Sequence, residues 1–149
     1  MKYIDENDID QIDINLWLGN NKGANDYDNI KKIDIIINFY KEKLKYNGKI
    51  NYHIPFSFEE SSLEECQNII NQVLKILLIN PNKKILLCCK AGHHRSANLA
   101  IVYLINKYKW NYNKASKHIR SIRRYSLQRK SNLTLAVKMY SNTIEKIFN

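Results

Sequence analysis

From Cys66 to Ile144 the chain contains no aspartate and no glutamate, yet it carries 15 lysines and arginines there, whereas residues 1–65 hold 13 acids and 8 bases. A one-sided positive field of this kind favours an anionic ligand, such as a phosphorylated protein, a nucleotide, RNA or an anionic lipid, the alternative being a merely solubilising face. Glycine and proline are scarce too, four and two in 149 residues, and with 44% hydrophobic residues this argues for a globular chain and against disorder. The length fits one domain over residues 1–149 with a single core. Only three cysteines occur, Cys66, Cys88 and Cys89, an odd number with no CxxC or paired-histidine spacing. Neither a disulfide framework nor a zinc site is expected, and no cofactor. No apolar run approaches the roughly 18 residues of a membrane span, and the opening "MKYIDENDID" lacks the apolar region of a secretory leader. The expected location is therefore cytoplasmic, with the nucleus as the alternative.

What is present is an alternation of strand-like and helix-like segments. "INLWLG" (14–19), "IDIIINF" (33–39) and "INYHIPF" (50–56) read as strands, with a helix predicted over "KGANDYDNIKK" (22–32) and a polar loop over 40–49. Ser61 or Ser62 is placed to cap a helix whose apolar residues Leu63, Cys66, Ile69, Ile70, Val73, Leu74 and Leu77 recur at helical spacing. "ILLC" (85–88) reads as a short buried strand and "SANLAIVYLINKY" (96–108) as a mostly apolar helix. Asn111 or Asn113 opens a basic helix to about Arg124, and Ser131 or Asn132 opens a last one. Strands interleaved with and then followed by helices imply an α/β fold.

The loop between "ILLC" and the apolar helix is Cys89-Lys90-Ala91-Gly92-His93-His94-Arg95, followed by Ser96. Successive backbone N–H groups at a helix N-terminus make a concave nest for an oxyanion, and Gly92 permits the tight turn. The same donors would favour the thiolate form of Cys89. Arg95 adds a planar fork for two phosphoryl oxygens. A thiolate facing a bound phosphoryl group implies phosphoryl transfer through a cysteinyl-phosphate. Cys66 and Cys88 sit in apolar patterns and read as packing residues, with a redox partnership to Cys89 as the lesser alternative. His93 and His94 flank the expected phosphate site, and their protonation is expected to strengthen anion binding as pH falls from about 8 to about 6, the alternative being two exposed loop histidines without influence.

Cys89-x5-Arg95-Ser96 resembles the signature of the small cysteine-dependent dual-specificity protein phosphatases. The resemblance extends over nearly the whole chain, through "NLWLGNNKGAND", "YHIPF" and "VYLI", and is greatest toward the compact poxvirus-type members. It implies a central mixed sheet of about four to five strands flanked by helices. It also implies Cys89 as nucleophile, Arg95 and the backbone of Lys90, Ala91, Gly92, His93 and His94 as phosphate cradle, and the Ser96 hydroxyl assisting departure of the thiolate. Low-molecular-weight tyrosine phosphatases fit less well, because their acid lies far downstream of the loop and here no acid separates Glu65 from Glu145.

Two departures stand out. The family's histidine before the nucleophile is Cys88, and the position of its general-acid aspartate, after the Ile-Pro-x-x segment, is Phe58, with Glu59 and Glu60 adjacent. Loss of a general acid costs about 10²–10⁴-fold in rate. Glu59 is thus the candidate acid, and slow turnover is expected. The implied function is hydrolysis of phosphotyrosine and phosphoserine/threonine in a phosphorylated protein. Two alternatives stay open: a polynucleotide 5′-triphosphatase or phosphoinositide phosphatase, with RNA or a phosphoinositide as partner, and a pseudophosphatase that binds phosphoproteins. The resemblance also leaves a homodimer open.

Overall fold

The computed structural model describes residues 6–45 and 48–148. Residues 1–5 lie outside the described residues, as does part of the polar 40–49 loop. Five strands form one sheet in the order β1-β2-β5-β3-β4. These are β1 (Ile9–Asp13), β2 (Leu16–Asn20), β3 (Ile35–Asn38), β4 (Ile50–His53) and β5 (Ile85–Cys89). β5 runs parallel to β2 and β3, β3 runs parallel to β4, and only β1 is antiparallel, to β2.

Strand parity splits the sheet into two faces, as the period of two requires. Leu16, Leu18, Ile35, Ile37, Ile85, Leu87 and Cys89 join the larger core. Trp17, Ile36, Leu86 and Cys88 join the smaller one, with Ala24, Ile30 and Ile33 from the β2–β3 connection. The larger core is covered by α3 (Leu63–Ile79), α4 (Arg95–Tyr108), α5 (Tyr112–Ile122) and α6 (Asn132–Phe148). The connection expected to be one helix over 22–32 is two single turns, α1 (Asn21–Ala24) and α2 (Tyr27–Ile30). Asn20 and Asp26 each cap a turn, and the second cap interrupts the first turn's continuation.

Local chemistry explains most boundaries. Ser62 Oγ accepts from Glu65 N–H at 3.1 Å while Glu65 Oε1 accepts from Ser62 N–H at 3.2 Å, a reciprocal box that starts α3. Asn111 caps α5 through Lys114 N–H at 2.9 Å. The strand expected over 50–56 stops at His53, two residues before Pro55, which has no N–H for the ladder. β1 was not expected. Its sequence IDQID is charged, with only Ile12 fully buried, so it shows no apolar alternation; such charge suits an edge strand. Among the described residues, no helix is long and apolar enough to cross a membrane.

Candidate active site

β5 is the central strand, and Cys89 is its last residue, 3% exposed, where the strand runs out between β2 and β3. The crevice beyond the C-terminal ends of parallel strands is where α/β sheets place ligands. Here it is a cavity of about 320 Å³ lined by Cys89, Lys90, Ala91, His93, His94 and Arg95 from the loop, by Phe58 and Glu59 from the β4–α3 connection, and by Tyr125, Gln128 and Arg129. Cys89 Sγ lies 3.2 Å from Ser96 Oγ, and Ser96 is fully buried in the first turn of α4.

Four successive carbonyls of the loop, from Ala91 to His94, are engaged on the protein side. Ala91 O accepts from Arg123 Nη2 and Gly92 O from Arg123 Nε, both at 3.2 Å. His93 O accepts from Leu127 N–H at 2.7 Å, and His94 O from both Asn98 N–H and Asn98 Nδ2 at 2.9 Å. Among the described residues every peptide bond is trans, so each C=O points opposite to the N–H that shares its plane. Tying down four carbonyls therefore turns the N–H groups of Gly92, His93, His94 and Arg95 away from Arg123, Leu127 and Asn98. Gly92 has φ +74°, and a Cβ built on it would lie 2.6 Å from the Gly19 carbonyl, so both backbone sign and space require glycine here.

Arg95 is held by two more carbonyls, Phe56 O at 2.9 Å and Phe39 O at 3.2 Å, both from Nη1. Its guanidinium carbon also lies 5.8 Å from the ring centroids of Tyr40 and Phe58. These contacts come from the β3 and β4 ends, which is why the sheet order matters for the site. Phe58, at the expected acid position, packs against His94 with ring centroids 4.5 Å apart. Glu59 lines the same cavity at its rim. Its side chain is 70% exposed and sits 3.5 Å from Arg129 Nη1.

One expectation needs correction: His93 and His94 were expected to titrate near neutrality beside the ligand, but both are buried. His93 Nε2 bonds the Glu6 carboxylate, and burial, aided by the Arg123 charge and opposed by Glu6, lowers its pKa. His94 Nε2 bonds Ser131 Oγ at 2.9 Å, and burial together with the charges of Arg129 and Arg95 holds its pKa down to about 4.

Cys88, in the place of the expected histidine, faces the opposite side of the sheet, its Sγ donating to Asn38 Oδ1 at 3.8 Å. Burial and the neighbouring Cys89 push its thiol pKa far up. Burial also raises that of Cys66 in the larger core.

Arg123 escaped the sequence reading. It is 0% exposed and bonds Asn7 O and Asp10 Oδ2 at 2.8 Å in addition to the loop carbonyls. No local spacing marks it, since it ends a helix among other basic residues. Removing one partner of a buried charge pair costs about 3–5 kcal/mol.

A family model described as dual specificity phosphatase, catalytic domain, matches residues 16–143. The chain is 25% identical over 140 residues to the tyrosine-protein phosphatase yvh1 of Schizosaccharomyces pombe, covering 90% of this chain and 42% of that protein. It is 35% identical over 95 residues to the AMV078 protein of Amsacta moorei entomopoxvirus, covering 60% of this chain and 56% of that one. The chain thus spans about half the length of these curated relatives. In fold it is similar to the crystal structure of human DUSP28, with a TM-score of 0.78 at 14% identity over 94% of this chain and 97% of the other. The matched residues run from β2 through the cradle into α6, and the chain belongs to the dual specificity phosphatase catalytic-domain family.

Proposed function

We propose that the chain is a protein phosphatase that hydrolyses phosphotyrosine and, more slowly, phosphoserine and phosphothreonine through a phosphocysteine intermediate. The observation that carries this reading is the position of Cys89 Sγ at the end of the central strand, at the start of a loop in which four successive carbonyls are tied back and the four N–H groups of the same peptides turn the other way. Such a nest and the Arg95 fork would hold the three non-bridging phosphoryl oxygens, so that charge moving through the transition state meets fixed donors. Cys89 attacks phosphorus as the S–P bond forms and the ester P–O bond breaks. Water then attacks the phosphocysteine, and the thiolate leaves with the Ser96 hydroxyl 3.2 Å away to accept its charge by donating a hydrogen bond.

Departure of the alcohol oxygen is the weak step. Phe58 offers no proton, and Glu59, the proposed acid, sits on the exposed rim beside Arg129. Partial service by Glu59 supports slow turnover that depends steeply on the leaving group. The same observation favours a second reading, a polynucleotide 5′-triphosphatase or phosphoinositide phosphatase, because an anhydride expels a good leaving group without an acid. A phosphoprotein-binding pseudophosphatase is the limiting case of failed departure.

One assay separates these: initial rates on 4-nitrophenyl phosphate, a phosphotyrosine peptide, a phosphoserine peptide, a phosphoinositide and a 5′-triphosphate RNA. The proposal expects aryl phosphates first and phosphoserine slowest. Cys89→Ser is expected to abolish turnover and Cys88→Ser to retain it. Glu59→Gln is expected to lower the phosphoserine rate by about 10²-fold while changing the aryl rate little. Fast hydrolysis by Cys89→Ser, or a rate confined to the RNA or the phosphoinositide, would refute the protein phosphatase reading.

A further inference from the structure

A guanidinium with no solvent contact needs acceptors for its donors and a counter-charge, because an unpaired buried charge is very costly. Arg123 obtains both from two separate parts of the chain. Toward the cradle it bonds Ala91 O and Gly92 O at 3.2 Å. Toward the N-terminal segment it bonds Asn7 O and Asp10 Oδ2 at 2.8 Å, with Glu6 Oε2 at 3.8 Å. Glu6 in turn bonds His93 of the cradle, so the segment and the loop are joined twice. The space is filled as well as bonded: a Cβ on Gly92 would lie 2.8 Å from Arg123 Nη2.

We propose that Arg123 is a positioning residue that holds the Ala91 and Gly92 peptides with their N–H groups toward the phosphate, and that docking of the Glu6–Asp10 segment on Arg123 is part of what makes the cradle competent. The inference rests on the reading of this loop as a phosphate site. Its physical content is a division of labour between two arginines. Arg95 faces the cavity and meets the ligand, whereas the charge of Arg123 is neutralised from behind by Asp10 and Glu6 and never meets it. If the segment undocks, Arg123 loses its counter-charge, and the cradle carbonyls become the remaining acceptors for a charge that water will then solvate. The two peptides lose the clamp that sets their orientation, and anion affinity falls without any change in a residue that touches the anion.

The test compares the wild type with Asp10→Asn, Arg123→Lys and Asp13→Asn, each confirmed folded by circular dichroism at the assay temperature. Asp13 lies on the same strand but pairs with Lys107 and Tyr108 away from the cradle, so it is the control for loss of N-terminal stability alone. Inorganic phosphate is titrated calorimetrically, and kcat and KM are measured on 4-nitrophenyl phosphate. The expected result is a phosphate Kd about tenfold weaker in Asp10→Asn and Arg123→Lys, the order of one hydrogen bond to a charged group. KM should rise in both, while Asp13→Asn lowers the melting temperature and leaves Kd unchanged. Wild-type phosphate affinity in folded Asp10→Asn overturns the proposal, even where Arg123→Lys fails to fold. A wild type that binds phosphate without hydrolysing the ester counts against the catalytic reading, while a weakened Asp10→Asn still supports this inference. A wild type that binds no phosphate overturns both.

Discussion

Adjacent residues on a strand face opposite sides, and Cys88 and Cys89 owe their different environments to that alone. Cys89 opens on the cavity while Cys88 is sealed against Asn38. The paired histidines of the loop were the one place where residue type misled, since a histidine is usually a switch near neutral pH. Burial holds the pKa of His94 down to about 4 against an ordinary 6.5. The sign follows directly: between these values the unfolded chain binds a proton that the folded chain refuses, so this contribution to stability is complete above about pH 6.5 and is lost as pH falls toward 4. Urea denaturation of the wild type at pH 7.5 and pH 5.0 should therefore show lower stability at the lower pH, and His94→Gln should show a smaller drop. Equal drops in the two proteins would mean that His94 titrates normally. Phosphate affinity, corrected for the ion's own ionisation, should owe nothing to His94 between pH 8 and 6.

The unit that matters next is β5, its loop and α4. The strand end sets where the thiol stands, the loop turns back on Gly92, and α4 begins at once with Arg95 directed between the β3 and β4 ends. Because β2 is the neighbour of β5, the Gly19 carbonyl lies directly against Gly92. An alanine at position 92 would bring a Cβ to 2.6 Å from that oxygen at φ +74°. Holding a non-glycine residue in this region costs about 1–3 kcal/mol. Gly92→Ala is thus expected to lower stability by more than about 1 kcal/mol in urea titration. Its phosphate affinity should fall by about tenfold or more, because misaligned N–H donors serve the oxyanion poorly. Unchanged phosphate binding in this variant would show that the backbone nest does not hold the anion.

Across the whole molecule, the charge asymmetry and the fold act together. The chain carries a formal net charge of +10, and the cavity is rimmed by Lys90, Arg95 and Arg129, with Lys130 beside a continuing open groove that also includes Ser131 and Asn132. Glu59 is the acid on that rim among the residues lining either hollow. A field of one sign raises the local concentration of anionic substrates and is screened over about 10 Å at 0.1 M salt. For a phosphopeptide with acidic flanks, KM should rise severalfold between about 0.05 and 0.5 M salt while kcat stays level. A phosphopeptide with basic flanks should show the opposite or no trend. Salt-independent KM for the acidic peptide would confine recognition to the phosphoryl group itself.

Much of this was legible in one dimension, because the signals are local. A thiol, a glycine and an arginine at fixed spacing between an apolar strand and an apolar helix identify the loop, and serine and asparagine caps locate the start of α3 within one residue and that of α5 within two. The family follows from the same residues. What stayed hidden depends on contacts across many residues. The edge strand β1 has too little apolar pattern to declare itself, and it is recognised only by its pairing with β2. The sheet order, which brings Phe39 and Phe56 carbonyls to Arg95, is a choice among pairings that no segment encodes alone. Burial of His93 and His94 follows from Glu6 and Ser131, which lie 87 and 37 residues away from them. Arg123 shows the limit most clearly: its sequence surroundings are those of any basic helix end, and it becomes the clamp of the cradle only because the fold carries Asp10 and Gly92 to opposite sides of one buried guanidinium.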